Sequence, residues 1–491
     1  MMINYNRLFK TLTDRGIKKM DLKNAAGIGT STLAKLSHNQ PVAMEVMVRI
    51  CSVLNCNIGD IMDIIPDKMD SIAACYTQIL KEELLPSVGC TEPNTLAFAA
   101  AKAREILGAL PDRCVVELSG NMFKNTKSVA VPNTGGMKGV YAAVAAGLIA
   151  GKAGSGLEVL ADITEGQRTE LKEYIDSHYI EIVLREQVGT LYVSLYARAG
   201  GESARVTIDG GHLHIVGIEK NDEIIFEAER EEELKSQSKY YLLNIEDIVQ
   251  YANTVDLGEL RPLLERQADY NRAIAEEGLA GDWGANVGKS ILATFGNGIQ
   301  FRAAAAAAAG CDARMGGCGM PVIIMSGSGN QGLAVSLPVI TYADEIKCPK
   351  DELYRALIAA NLATVHQKTS IGKLSAFCGA VSASCAAAAG VAYLLGGDYE
   401  IISHTIVNAL AIVSGIVCDG AKPSCAGKIG VAVLTGLLGY NLFAEMNQQF
   451  YGGDGILSQG VDKTISNVGD MASKGMRETD IEIIKIMTEN C

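Results

Sequence analysis

Cysteine is the residue type whose placement in this chain most suggests chemistry; 13 of the 491 residues are cysteine. Cys90 stands in Pro86-Ser87-Val88-Gly89-Cys90-Thr91-Glu92-Pro93. Gly and Pro around a lone Cys predict an irregular turn that exposes a thiol. A helix starting near Asn94 would set its N-terminus beside Cys90, where the dipole favours the thiolate and lowers the pKa. The other reading is a structural Cys in a loop. Cys378 and Cys385 lie in LSAFCGAVSASC, residues 374–385. Cys418 and Cys425 bracket six residues that include Gly420 and Pro423. Such a loop can fold two thiolates onto one inorganic centre. Its spacing is neither the C-x₂-C of zinc sites nor the close triplet of a ferredoxin. Two loop cysteines plus a distant third would suit a cluster held by three cysteines, with one iron open to substrate. Spacing alone leaves buried, inert cysteines as the alternative.

Two Gly-rich segments could receive an anion. Ser326-Gly327-Ser328-Gly329-Asn330-Gln331-Gly332 offers backbone N–H groups and small hydroxyls, a suitable nest for a carboxylate. Asn133-Thr134-Gly135-Gly136-Met137-Lys138 is a second candidate, opening a helix over 139–151 with Lys138 adding charge. The alternative for both is a plain loop. Arg302 and Arg314 could fork a carboxylate, but pairing with the protein's own acids is the favoured expectation. No Walker A pattern and no strand–GxGxxG–helix unit is present. The six histidines, at 38, 178, 212, 214, 366 and 404, fall in no familiar catalytic motif.

The elements that must position these groups change character along the chain. Residues 1–66 predict five short helices, over 5–15, 20–26, 30–36, 43–54 and 58–65, with Pro66 as the stop. A short helix, the turn Gly27-Ile28-Gly29 and a helix capped by Thr30 or Ser31 describe a helix-turn-helix. The segment MDLKNAAGIGTSTLAKLSHNQPVAMEVMVRICSVLNCNIGDIMDI resembles the Cro/CI-type helix-turn-helix family. The resemblance implies that Thr30, Ser31, Thr32 and Lys35 face a DNA major groove; a helical docking module is the other reading. Strands are predicted over 114–118, 180–184, 191–197, 205–208, 213–218 and 223–226, with a turn at Gly210-Gly211 and a helix over 164–178. Residues 227–275 read as a charged surface connection. From Ile291 onward, Ala-rich helices broken by Gly predict a tightly packed helical core. The expected class is α+β, predominantly helical. The expected domains are a helix-turn-helix over 1–66 and a body over 67–491, with an α+β lobe at about 111–245 and a helical core at about 285–491.

Composition bounds the function. Charged residues are 20% and hydrophobic residues 48%, so a large core is available and disorder is excluded. The net charge of −13 argues against the whole chain binding nucleic acid. Residues 1–66 hold 8 Lys+Arg and 5 Asp+Glu, net +3, leaving −16 for the rest. The uncharged runs 315–343 and 374–397 exceed the ~18-residue span threshold. They carry Pro, Asn, Gln, Ser and Ala rather than Leu, Ile and Phe, so they read as buried cores and not as membrane spans. With no apolar signal core at MMINYNRLFK, a cytoplasmic, thiol-reducing setting is expected, where clustered cysteines favour metal or catalysis over bridges.

Residues 76–487 resemble the UPF0597 family, which includes iron–sulfur L-cysteine desulfidases. They are more distantly similar to the α-chain of iron–sulfur L-serine dehydratases. The matching segments are SVGCTEPNTLAFAAAKA, VPNTGGMKGVYAAVAAG, GNGIQFRAAAAAAAGCDARMGGCGMPVIIMSGSGNQG and VSGIVCDGAKPSCAGKIG. By this resemblance Cys378, Cys418 and Cys425 are three ligands of a [4Fe–4S] cluster and Cys90 is the catalytic base. Cys311, Cys318 and Cys385 are left unassigned. The implied reaction takes L-cysteine to pyruvate, ammonia and sulfide by Cα-proton abstraction and β-elimination. The alternatives are L-serine dehydration and a regulator that senses the cluster or an amino acid; self-regulation through DNA and a homo-oligomer are further expectations. Cys491, as a C-terminal cysteine with a thiol and a carboxylate, would mimic substrate and could reach the open iron, as a comparable tail does in the serine dehydratases.

Overall fold

A computed structural model describes residues 2–15, 17–37, 40–65, 68–228, 239–450 and 452–489. Cys491, the expected further ligand, lies outside the described residues. The chain divides into two compact units, Met1–Tyr76 and Thr77–Cys491.

In the first unit, helices Asn6–Asp14, Lys19–Ala25, Thr30–Ser37 and Met44–Leu54 enclose Leu8, Leu22, Leu36, Met47 and Ile50, all buried. The fifth expected helix does not form. Asn57 and Asp60 make a reciprocal capping box around one 3₁₀ turn, Ile58–Asp60. The chain then extends as β2 (Asp63–Ile65), antiparallel to β1 (Met2–Asn4). Two adjacent β-branched residues, Ile64 and Ile65, favour that strand.

In the second unit the strand β3 (Pro86–Val88) pairs antiparallel with the sequence-distant β10 (Pro321–Ile323). Six further strands form one sheet: β4 (Arg113–Ser119), β5 (Tyr179–Arg185), β6 (Tyr192–Ala199), β7 (Glu202–Asp209), β8 (Ile215–Lys220) and β9 (Glu223–Glu227). Their order is β5-β4-β6-β7-β8-β9. Only β4 and β5 pair in parallel, and a long helical crossover joins them, as parallel neighbours require. Thr164 caps the last crossover helix, Glu165–Ser177, through a capping box with Gln167. The helix Thr91–Leu107 is buried along most of its length between this sheet and the helix Gly139–Ile149. At the crossing, a Cβ on Gly147 would lie 2.2 Å from the Ala97 carbonyl oxygen, so only glycine allows this approach.

The helical body comprises Arg261–Ala280, Val287–Phe295, Ile299–Met315, Gly329–Ile346, Lys350–Ile371, Gly379–Leu394, Tyr399–Val413 and Ser424–Ala444. The expected surface connection at 227–275 is corrected for the described residues. Helix Ile245–Thr254 buries Ile245, Ile248, Val249 and Tyr251. Helix Arg261–Ala280 buries Leu264, Gln267, Asn271 and Ile274. Their charges occupy the outer faces, which disguised two core elements as linkers. The run 315–343 is broken by β10 and a turn. Among the described residues one helix, Ser424–Ala444, is long and apolar enough to cross a membrane, with 44% of its apolar window buried against the body.

Candidate active site

One short pairing relates Cys378 to Cys418, and Cys425 follows Cys418 across a short loop. Phe377 and Val417 form an isolated antiparallel bridge. It is flanked by Cys378 N–H donating to the Ile416 carbonyl (3.1 Å) and Cys418 N–H to the Ala376 carbonyl (2.6 Å). Alternation then puts Ala376, Cys378, Ile416 and Cys418 on one face. The two cysteines are diagonal same-face neighbours, about 7–8 Å apart in such pairs. Cys378 also caps the helix Gly379–Leu394, and Cys425 sits in the first turn of Ser424–Ala444. Burial, with Cys418 and Cys425 adding to it and Lys428 opposing, pushes the Cys378 thiol up to about 12. Burial likewise raises Cys425, with Cys418 adding to it. The three sulfurs therefore share one field.

The loop that carries two of them is stapled by charge. Asp419 pairs with Lys422 (2.7 Å) and Lys428 (2.6 Å). Burial works to raise the Asp419 carboxyl, but the two lysines outweigh it and hold it at about 2. Lys124, itself buried, donates to the Cys418 carbonyl (3.3 Å) and pairs with Asp480 (2.5 Å).

These residues fit an iron–sulfur cluster better than a single ion. Among the described residues no three His, Cys, Asp or Glu side chains converge as one ion would need; a cuboidal cluster instead takes one thiolate at each of several separated corners. Two buried polar atoms beside Cys378 lack a partner: Gln331 Oε1, whose amide packs on Gly379, and Ser382 Oγ, one turn into the helix that Cys378 caps. The donors are soft thiols, and Lys428 is a nearby cation able to offset thiolate charge.

Cys90 caps the helix Thr91–Leu107, as its neighbouring residues predict, but it is only 1% exposed. Its Sγ lies 4.0 Å from Met315 Sδ. Burial pushes its pKa up to about 12; Arg314 opposes this, while Glu92 and Cys425 reinforce it. The expected lowering is thus corrected: desolvation outweighs the helix terminus. Cys425 acts electrostatically on Cys90. Buried Cys311 feels both Cys425 and Cys90. Cys318 and Cys385 are buried, and for Cys385 burial alone raises the thiol, to about 12.

Arg302 pairs with Glu345 (2.6 Å), as expected. Arg314 differs. It is 2% exposed, and among the described residues no acid forms an ion pair with it. Its Nε donates to the Gly89 carbonyl (2.9 Å) and its Nη1 to Asn330 Oδ1 (2.9 Å), tying the Cys90 turn to the 326–332 loop.

That loop is not the open nest the sequence suggests. Met325 and Ser328 exchange both backbone hydrogen bonds (3.1 and 3.0 Å). Ser326 and Gly327 form the corners of this two-residue turn, with φ 47° and 74°, the positive pair that such turns demand. The Ser326 amide goes to the protein's own Glu83 carboxylate. Asn330 is held by Arg314, and its amide nitrogen faces Met315 Sδ at 3.7 Å. The first-turn amides of the helix that begins at Gly329, capped by Ser328, remain as anion donors. The second nest is also corrected. Asn133 donates to the carbonyls of Leu160 and Ala161 (3.0 Å each), stapling a loop, and Lys138 is exposed at the start of Gly139–Ile149.

Sequence reasoning missed four residues that meet here. His212 is buried, with Nδ1 2.8 Å from Thr95 Oγ1 and a hydrogen bond to the Gly327 backbone. Burial lowers its pKa below the ordinary value. Lys368, Glu83 and Tyr240 join it around a cavity of about 1190 Å³ that also reaches Ser326 and Gly327. Lone residues from four distant segments carry no spacing signal.

In the first unit, Thr30, Ser31 and Lys35 are exposed and Thr32 is half-buried, while Leu33 and Leu36 face the core.

Residues 154–485 match the family described as "Serine dehydratase alpha chain", and residues 7–67 match the "Cro/C1-type HTH DNA-binding domain". Fold and matches together define a serine-dehydratase-type lyase body with a helix-turn-helix module. A UPF0597 protein of Desulfitobacterium hafniense is 50% identical over 87% of this chain and 99% of its own. UPF0597 proteins of Treponema denticola and Finegoldia magna are 44% and 46% identical, each over 84% of this chain and 98% and 99% of their own. The chain belongs to the UPF0597 family. A crystal structure of the transcriptional regulator VanUg is 44% identical over 13% of this chain and 88% of that one, with a TM-score of 0.13.

Proposed function

We propose that this protein is a [4Fe–4S]-dependent L-cysteine desulfidase, taking L-cysteine to pyruvate, ammonia and sulfide. What supports this reading is the Phe377–Val417 bridge, which sets Cys378 and Cys418 on one face, together with the electrostatic action of Cys425 on both Cys378 and Cys90. Those three cysteines would hold the cluster. When bound, such a cluster supplies a Lewis-acidic iron that makes sulfide a better leaving group.

The remaining roles belong to the chain. Cys90 takes the Cα proton as a thiolate. Burial favours its protonated form, and Arg314 is the neighbouring charge that favours the anion. The same arginine fixes the Cys90 turn through Gly89. The first-turn amides at Gly329 and Asn330 favour an anion, as helix N-termini do. Loss of the Cα proton and of the β-sulfur as sulfide leaves 2-aminoacrylate, which tautomerises and hydrolyses to pyruvate and ammonia.

The serine dehydratase family match supports a second substrate reading, L-serine with water as leaving group. Anaerobic reconstitution followed by parallel assays separates them. Sulfide and pyruvate from L-cysteine in equal amounts, with little pyruvate from L-serine, is the expected result; the reverse preference would make the protein a serine dehydratase. The exposed Thr30, Ser31 and Lys35 support DNA binding by the first unit as a self-regulatory role.

A further inference from the structure

The cavity that His212, Tyr240 and Ser326 line also carries a buried lysine and a half-buried glutamate, neither of which forms an ion pair among the described residues. Lys368 is 6% exposed and lines the cavity. Among the described residues no carboxylate forms an ion pair with it; its ammonium makes one long hydrogen bond, 3.4 Å, to the Lys373 carbonyl. A buried ammonium with so little compensation is costly unless something else completes it. Its electrostatic neighbours are Cys418, Cys378 and Glu83, so it stands between the cluster residues and the opposite wall.

Glu83 lines the same cavity and accepts from Tyr240 OH (2.9 Å) and the Ser326 amide. No lysine or arginine forms an ion pair with it among the described residues. The adjacent Glu82 does pair, with Lys239. Lys373, the other cavity lysine, donates to the Gly210 carbonyl (2.8 Å). Lys373 also acts electrostatically on Glu83, yet neither Lys368 nor Glu83 forms an ion pair among the described residues, and the two line the same cavity as one cation and one anion.

We propose that Lys368 binds the α-carboxylate and Glu83 the α-ammonium of a free L-amino acid in this cavity, leaving its side chain toward Cys378 and Cys418. This deepens the amino-acid reading above and rests on it. A free amino acid carries both charges on one carbon; a residue within a peptide carries neither, so the site selects for the free form. Buried charges reject analogues that leave either one unpaired.

Two thiols test it, each lacking one charge: 3-mercaptopropionate keeps the carboxylate and cysteamine keeps the ammonium. Anaerobic calorimetry on the reconstituted full chain should show both binding. Lys368→Gln should weaken 3-mercaptopropionate roughly ten- to hundredfold and leave cysteamine within about twofold, and Glu83→Gln should do the reverse. Lys368→Arg, which keeps the charge, should retain 3-mercaptopropionate binding. Circular dichroism and cluster absorbance are read on every variant. Equal loss of both thiols, no loss of either, or loss of iron from Lys368→Gln in place of the ligand effect would overturn the proposal. Binding is read without turnover. A chain that discriminates the thiols but releases no sulfide keeps this site and overturns the desulfidase reading; one that releases sulfide yet ignores both substitutions overturns this site.

Discussion

Phe377 and Val417 pair across two segments 40 residues apart in sequence, and this one bridge sets Cys378 and Cys418 on a common face. Each cysteine lies one residue C-terminal to a bridge partner, so the register alone decides whether the sulfurs share a face. A slip by one residue would turn one of them away. The backbone, not the side chains, therefore sets the relative placement of these two cysteines.

Cys90→Ser tests the base. The variant should keep cluster absorbance and lose both sulfide release and exchange of the substrate Cα hydrogen with deuterated water. A variant with full exchange would transfer the role to another group. Arg314→Met should also slow turnover, since it removes the cation beside Cys90 and the anchor on Gly89.

His212 should make stability depend on pH. Burial, the largest influence, lowers its pKa below the ordinary 6.5. Below pH 6.5 the unfolded chain takes up a proton that the folded chain refuses. Its contribution is therefore fully present above 6.5 and is lost as pH falls toward the folded-state value, by up to about 1.4 kcal/mol per pH unit. His212→Asn should flatten that slope in urea unfolding; an unchanged slope would contradict the assignment.

Gly147→Ala should destabilise the chain by roughly 1–3 kcal/mol through overpacking, because its Cβ would meet the Ala97 carbonyl. Urea midpoints measure this. A neutral effect would mean that the two helices can part without cost.

DNA binding by the full chain should weaken with Lys35→Ala. The slope of log affinity against log salt should shrink by about one if Lys35 contacts a phosphate. Salt-insensitive binding, or none, would favour a protein-docking role for the first unit.

Much of the fold is legible in the sequence where the signal is local. The six strands of the main sheet follow from alternation in segments such as Tyr192–Ala199, and Thr164 with Gln167 announces its helix. The strand Asp63–Ile65 does not, because its partner is Met2–Asn4 at the other end of the unit. Residue type and turn chemistry single out Cys90, Cys418 and Cys425 as candidates, whereas Cys378 is distinguished from Cys385 only by the family resemblance. Burial is a property of the whole fold, so the direction of the Cys90 shift could not be read from its neighbours. Glu83, His212, Ser326 and Lys368 come from four distant segments, and only tertiary structure assembles them.

The most direct measurement is iron and acid-labile sulfide on the anaerobically reconstituted chain and on Cys378→Ser, Cys418→Ser and Cys425→Ser. The parent should hold iron and sulfide in equal amounts and release sulfide from L-cysteine. Each variant should remain folded by circular dichroism, lose the cluster's visible absorbance and lose turnover. Any of the three variants keeping full iron, full sulfide and full turnover would contradict the assignment of these cysteines as the cluster's ligands.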